Sequence, residues 1–199
     1  MPRTRTVDDA QILRAASEAI GEHGPAELTL AAVAGKVGLS PATLLQRFGS
    51  KRGLLLKLAE SGPEWAKQNF IEAAARQSSS RKALISALKA MTASVASPQA
   101  MANNLAFLQI DLTDPEFHAL ALAHAKAVRG GIEALLNDAK RWGELEPDTD
   151  TRRLAEAVEA VYNGALITWA IHRKGRVENH LAKQLETLLA PYSVERLHL

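Results

Sequence analysis

Apolar residues recur along almost the whole chain at the three-to-four-residue spacing of an amphipathic helix, and no stretch of strand length alternates every second position. Ile12, Ala16, Ala19 and Ile20 make a stripe over a first helix at 8–23. Asp8 and Asp9 suit its positive end, and Gly24-Pro25 stops it. Thr29 fits an N-cap for a short helix at 30–37, buried through Leu30, Val33, Ala34 and Val37. Gly38-Leu39-Ser40 reads as a tight turn. Ser40 caps the next helix, at 41–48, and Pro41 takes its first position, where a missing N–H leaves nothing unsatisfied. Gly49-Ser50 ends that helix, and Ser50 caps a fourth, in which Gly62-Pro63 predicts a kink or restart. Further helical stretches are expected near 63–77, 80–96, 99–112, 114–142, 149–172 and 177–189, about nine helices in all.

The fold expected is therefore all-α: an N-terminal three-helix domain at 1–55, and a larger helical bundle at 56–199. At 199 residues, with 47% hydrophobic and 23% charged, the chain can bury a core in each. The absence of Cys excludes disulfides, a thiol nucleophile and Cys-ligated metal. No apolar run of membrane length and no leader pattern is visible, so a cytoplasmic protein is expected. The net charge of +2 becomes informative once mapped. No acid stands between Glu27 and Glu60, while Lys36, Arg47, Lys51, Arg52 and Lys57 do, a stretch suited to a polyanion.

The segment at 30–48 meets the requirements of two short helices packed across a turn. Ala34 is small at the crossing, Gly38 permits the turn, and Val33, Val37, Leu39, Leu44 and Phe48 face inward. This is a helix-turn-helix, whose second helix fits a major groove about 12 Å wide.

From about Ile12 to Leu55 the chain resembles the tetracycline-repressor (TetR) family of transcriptional regulators. The residues that carry the resemblance are Thr29, Val33-Ala34, Val37-Gly38-Leu39-Ser40, Thr43-Leu44, Phe48, Ser50-Lys51 and Leu54-Leu55. The resemblance implies a DNA-binding head followed by a ligand-binding and dimerisation bundle. This chain departs from the pattern at four places. Ala42 stands for the usual Gly, and Arg47 for His or Tyr. Leu45 replaces a Tyr whose hydroxyl commonly reaches a phosphate, and Gly53 replaces an acidic or small polar residue, weakening the start of the fourth helix.

Roles follow from reach and chemistry. Pro41, Ala42 and Gln46 are expected on the exposed face of the recognition helix, with Thr43 and Arg47 beside them. Gln46 can pair with adenine, Arg47 with guanine or a phosphate, and the Thr43 methyl can meet thymine. Thr29, Ser40 and Lys51 suit phosphates, and Arg3 and Arg5 can enter a minor groove. One such head makes few contacts, so a homodimer on a palindromic operator is expected. Its interface is assigned to the last two helices. Ala157, Ala160, Gly164 and Ala165 form a small-residue edge on the penultimate one, and Leu181, Leu185, Leu188 and Leu189 complete the contact from the last. Met91, Phe107, Phe117, Leu120 and Tyr162 are the candidate lining of a small-molecule effector pocket. His118 and His124, six apart, do not face together as metal ligands would and read as hydrogen-bonded structural residues. Asp111, Asp114 and Glu116 are explained by capping of the helix after Asp114.

The expected function is a ligand-responsive transcriptional regulator, a repressor released when effector shifts the fourth helix about Gly62-Pro63. Two other classes compete. A helical enzyme needs a catalytic constellation, and no HExxH, GxSxG or phosphate-loop pattern occurs, so neither catalytic residues nor a cofactor are assigned. A protein-interaction module with an incidental basic face is separated by the salt dependence of duplex binding.

Overall fold

The computed structural model describes residues 7–95 and 97–194; Arg3 and Arg5 lie outside them. The described residues form nine α-helices: α1 (Asp9–Glu27), α2 (Leu30–Val37), α3 (Pro41–Phe48), α4 (Lys51–Arg76), α5 (Ser80–Ala90), α6 (Pro98–Thr113), α7 (Pro115–Arg141), α8 (Thr151–His172) and α9 (Val177–Leu189). Short 3₁₀ turns follow α5 and α9, and the one β pairing among the described residues is an isolated bridge between Leu145 and Ser193.

The punctuation anticipated from sequence sets these bounds. Asp8 and Gln11 form a reciprocal capping box at the start of α1. Gly24 breaks that helix at φ 78°, ψ 164°, after which the chain makes one further turn to Glu27. Gly62-Pro63 does not restart the chain as a new helix. α4 runs through it as one helix, with Pro63 inside. Proline removes the bond to the carbonyl one turn earlier and crowds that carbonyl with its ring, but the apolar anchors on both sides, Leu54 and Leu55 before it and Ala66 and Phe70 after it, are buried. Packing of those faces outweighs the local penalty, so neither a restart nor a loop is seen.

The residues group by packing into two compact units. One comprises the chain through Gly62 together with Gln99–Ala121; the other comprises 63–98 and the chain from Leu122 onward. In the first, α1, α2 and α3 enclose Ile12, Ala16, Val33, Ala34, Leu44 and Leu54, joined by Phe117 from α7. Asn103 on α6 donates to the Gly21 carbonyl at 2.9 Å, fixing α6 to α1. The helices at 99–121 thus pack with the front of the chain, although in sequence they lie among those assigned to the bundle.

The second unit is built around Phe70, Leu84, Leu88, Ile132, Leu136, Leu154, Val158, Leu181 and Leu185. Gly131 lets α7 approach α4 closely, since a Cβ there would lie 2.3 Å from the Phe70 ring. Glu144 closes the start of α5 by accepting from the Ser79 hydroxyl and from the Ser80 and Arg81 N–H groups at 2.7, 3.0 and 3.0 Å. Burial pushes the Glu144 carboxyl up, but these three donors outweigh it and hold it below the usual carboxylate range. Leu181, Leu185 and Leu189 of α9 are fully enclosed within this unit. Of the four leucines assigned by sequence to a dimer contact, only Leu188 is partly open, because the α9 stripe is consumed by its own α8 and α5.

Candidate nucleic-acid interface and effector region

The helix-turn-helix is capped at each junction. The Thr29 hydroxyl accepts from the Ala32 N–H at 3.1 Å, and Gly38 ends α2 in the left-handed conformation at φ 70°, ψ 29°. The Ser40 hydroxyl then accepts from the Thr43 N–H at 3.2 Å and lies 2.9 Å from the Thr43 hydroxyl. Each cap of this kind is worth about 1 kcal/mol. Leu44 is completely buried and Phe48 half-buried, so α3 is pinned by one face. The opposite face carries Pro41, Ala42, Leu45 and Gln46 in the open.

Of the side chains expected to meet DNA, several are already engaged within the protein. Thr29, Ser40 and Thr43 use their hydroxyls in the caps just described. Lys51 donates to the Ala26 carbonyl at 2.7 Å. Arg47, assigned by sequence to a guanine, turns back along the protein: Nη1 donates to the Val7 carbonyl at 2.8 Å and meets the Asp9 carboxylate at 3.3 Å. No partner for its Nε or Nη2 stands among the described residues. Gln46 makes no hydrogen bond to the described residues and is exposed.

The acid-free stretch of sequence is not acid-free in space. Lys36 pairs with Glu22 at 2.7 Å, Arg47 with Asp9, and Lys57 with Glu60 at 2.9 Å. Arg52 binds Asp114 at 2.7 Å and Glu116 at 2.8 Å, with its guanidinium 5.0 Å from the centre of the Phe117 ring. Four of the five bases thus face carboxylates supplied by other helices or by the next turn. Such exposed pairs are worth about 0–1 kcal/mol each, little enough for a phosphate to displace. Linear separation says nothing of which acids fold back, so a stretch that is acid-free in sequence is paired in space.

Gly53 also has a reason that the sequence does not display. A Cβ at this position would sit 2.0 Å from the Phe48 carbonyl oxygen, so the α3–α4 junction has no room for a side chain.

Four of the five residues assigned to an effector pocket fall into two clusters. Met91 and Tyr162 belong to the core of the second unit, where burial pushes the Tyr162 phenol upward. Phe107 and Phe117 belong to the first, edge to face with centroids 6.0 Å apart, and Leu120 is half-buried. An open groove of about 440 Å³ in the second unit is lined instead by residues such as Ser79, Leu135, Trp142 and Glu144. His124 Nδ1 is buried without a partner among the described residues, contrary to the expected hydrogen-bonded role, and His118 is exposed. Asp114 caps α7 as expected, accepting from the Glu116 N–H at 3.0 Å.

A capped bihelical elbow that buries one face of its second helix and exposes the other defines a helix-turn-helix DNA-binding protein. Residues 12–58 match the pattern described as bacterial regulatory proteins of the tetR family, and residues 80–190 match the C-terminal part of BetI-type transcriptional repressors. The chain belongs to the TetR family of bacterial transcriptional regulators, with a C-terminal part of the BetI type; it is a DNA-binding regulator, not an enzyme.

A relative from Agrobacterium fabrum, the HTH-type transcriptional regulator BetI, is 28% identical over 157 residues, covering 78% of this chain and 73% of that protein. Among solved structures, a protein from Saccharomonospora viridis described as a transcriptional regulator, in complex with choline, shares the fold. Its TM-score is 0.72 at 20% identity, over 94% of this chain and 98% of the other. The transcriptional regulator FadR from Bacillus subtilis, in complex with stearoyl-CoA, shares it at a TM-score of 0.65 and 18% identity, over 92% and 98% of the two chains. Among the described residues, no helix is long and apolar enough to cross a membrane, and no group of His, Asp or Glu side chains is placed to hold a metal ion.

Proposed function

We propose that the chain is a cytoplasmic repressor that binds a palindromic operator as a homodimer and releases it on binding a small molecule. The observation that carries this reading is the exposed face of α3, presented by an elbow whose inner face is sealed by Leu44. Gln46 reads a base edge, and Pro41, Ala42 and the Thr43 methyl line the groove. Arg47 keeps Nη1 on α1 and offers Nε and Nη2 to the backbone. Thr29, Ser40 and Lys51 flank the groove, where the first N–H groups of α2 and α3 suit phosphates.

The functional division proposed is a DNA-binding part at 1–55 and an effector-binding and dimerisation part at 56–199. It differs from the grouping by packing, and that difference supplies a route for control. The helices at 99–121 pack with the head through Asn103 and Arg52, while α4 and α7 continue by chain into the second unit. An effector that favours one arrangement of those helices changes the spacing of two recognition helices from the roughly 34–36 Å needed on one face of DNA.

The dimer contact is assigned to α8. Ala160, Gly164, Ile167 and Ile171 share one helical stripe; Ala160 is exposed, a Cβ on Gly164 would meet nothing, and the two isoleucines are 38% and 71% exposed. For the effector, Met91, Phe107, Phe117, Leu120 and Tyr162 remain the candidate residues. Choline is the first compound to test, because a structural neighbour binds it and the C-terminal part is of BetI type.

Selection of bound fragments from random duplexes tests the reading. The expected result is a palindrome with half-sites about one helical turn apart, bound more weakly as salt rises and with relaxed specificity in Gln46→Ala. Failure to enrich any sequence overturns it.

A further inference from the structure

The sequence assigns base reading to Gln46, Arg47 and the Thr43 methyl, and of their polar groups only the Gln46 amide makes no hydrogen bond among the described residues. Thr43 shares its hydroxyl with Ser40, Arg47 holds Val7 and Asp9, and Gln46 alone projects without a partner among the described residues. The rest of the outward face is apolar. Leu45 is 53% exposed, and Ala42 lies one turn before it. Residues 42, 45 and 46 stand at the i, i+3 and i+4 positions of one helix and so form a single contiguous surface. Exposed leucines are common in soluble proteins. This one occupies the centre of the face that enters the groove, where water must leave when DNA binds.

A leucine neither donates nor accepts a hydrogen bond, and of the major-groove edges only thymine offers an apolar group, its C5-methyl. We propose that Leu45, with Ala42, reads a thymine methyl beside the adenine contacted by Gln46, making this recognition helix selective for A·T pairs through an apolar contact. Against cytosine the same side chain meets no methyl and covers the N4 amino group, leaving a donor without a partner. Leu45 is thus a specificity-determining residue, absent from the set that sequence alone assigned. The inference rests on the operator-binding reading above.

The test uses the full-length protein and the operator half-sites it selects. Each thymine is replaced in turn by deoxyuridine, which removes the methyl and nothing else. At one thymine per half-site, the wild type is expected to lose about fourfold in affinity, the equivalent of one buried methyl. Leu45→Ala, whose parent side chain is exposed, is expected to keep its thermal midpoint, bind the thymine operator more weakly, and become indifferent to uracil there. A wild-type protein that binds a selected site yet ignores every methyl overturns this proposal alone. So does a Leu45→Ala protein as methyl-sensitive as its parent. A chain that selects no duplex overturns the operator reading and this proposal with it.

Discussion

Arg52 grips Asp114 with both arms of its guanidinium, 2.7 Å from Nη1 to Oδ2 and 3.2 Å from Nη2 to Oδ1, across 62 positions of sequence. The same side chain reaches Glu116 and lies over Phe117, so the first turn of α4 is tied to the start of α7 within one packed unit. The Asp114 carboxyl is held below its usual range, first by the hydrogen bond from Arg52. A depressed acid contributes stability above its unfolded pKa and loses it as pH falls through the folded one. Asp114→Asn is expected to speed amide exchange at the starts of α4 and α7 at neutral pH, with the difference from wild type closing in strong acid. Equal exchange at neutral pH counts against the clamp.

Asp111 behaves with the opposite sign. It is half-buried, faces no cation among the described residues, and desolvation raises its carboxyl to about 6. The native state therefore keeps a proton that the unfolded chain gives up near pH 4, so stability declines as pH rises from about 4 through 6. Asp111→Asn is expected to raise the thermal midpoint at pH 7.5 and leave it unchanged at pH 4. A benefit of equal size at both pH values excludes the ionised carboxyl as the cause.

Two adjacent glycines of α7 give a paired prediction. A side chain at Gly131 collides with the buried Phe70 ring, whereas one at Gly130 meets open space. Gly131→Ala is expected to destabilise by about 1–3 kcal/mol through overpacking. Gly130→Ala is expected to stabilise by roughly 0.5–1 kcal/mol through helix propensity. Chemical denaturation of the two variants checks both signs.

Ile171→Glu places a charge on the proposed α8 contact at a site 71% exposed in the single chain. Sedimentation is expected to show monomers, with helicity intact and operator affinity strongly reduced. A dimer that persists moves the interface elsewhere.

The fold was legible in the sequence wherever a local signal decided it. Thr29, Gly38, Ser40 and Pro41 each act within their own turn, and the limits of α2, α3 and α9 coincide with those expected. Readings that depended on distant partners were less secure. Nothing near Pro63 shows that buried side chains on both flanks carry the helix through, and nothing near Leu181 and Leu185 shows that α8 and α5 cover them. At the DNA face, the residue types were readable, but their commitments were not. Arg47 finds Val7 and Asp9 about forty positions away, and Gly53 is explained only by the Phe48 carbonyl beside it. Leu45 carried a signal that could have been used: a large apolar residue, where a hydroxyl-bearing one is usual, beside a buried Leu44.

The carboxylates opposite Lys36, Arg47, Arg52 and Lys57 mean that four of the five cations between Glu27 and Glu60 already face an acid before DNA arrives. Approaching the duplex is then a change of partner, in which Glu22, Asp9, Asp114 and Glu60 stand in for phosphates until a matching groove replaces them. Phosphates are the same on every sequence, so that exchange carries no information and discrimination falls to the uncharged tip of the recognition helix.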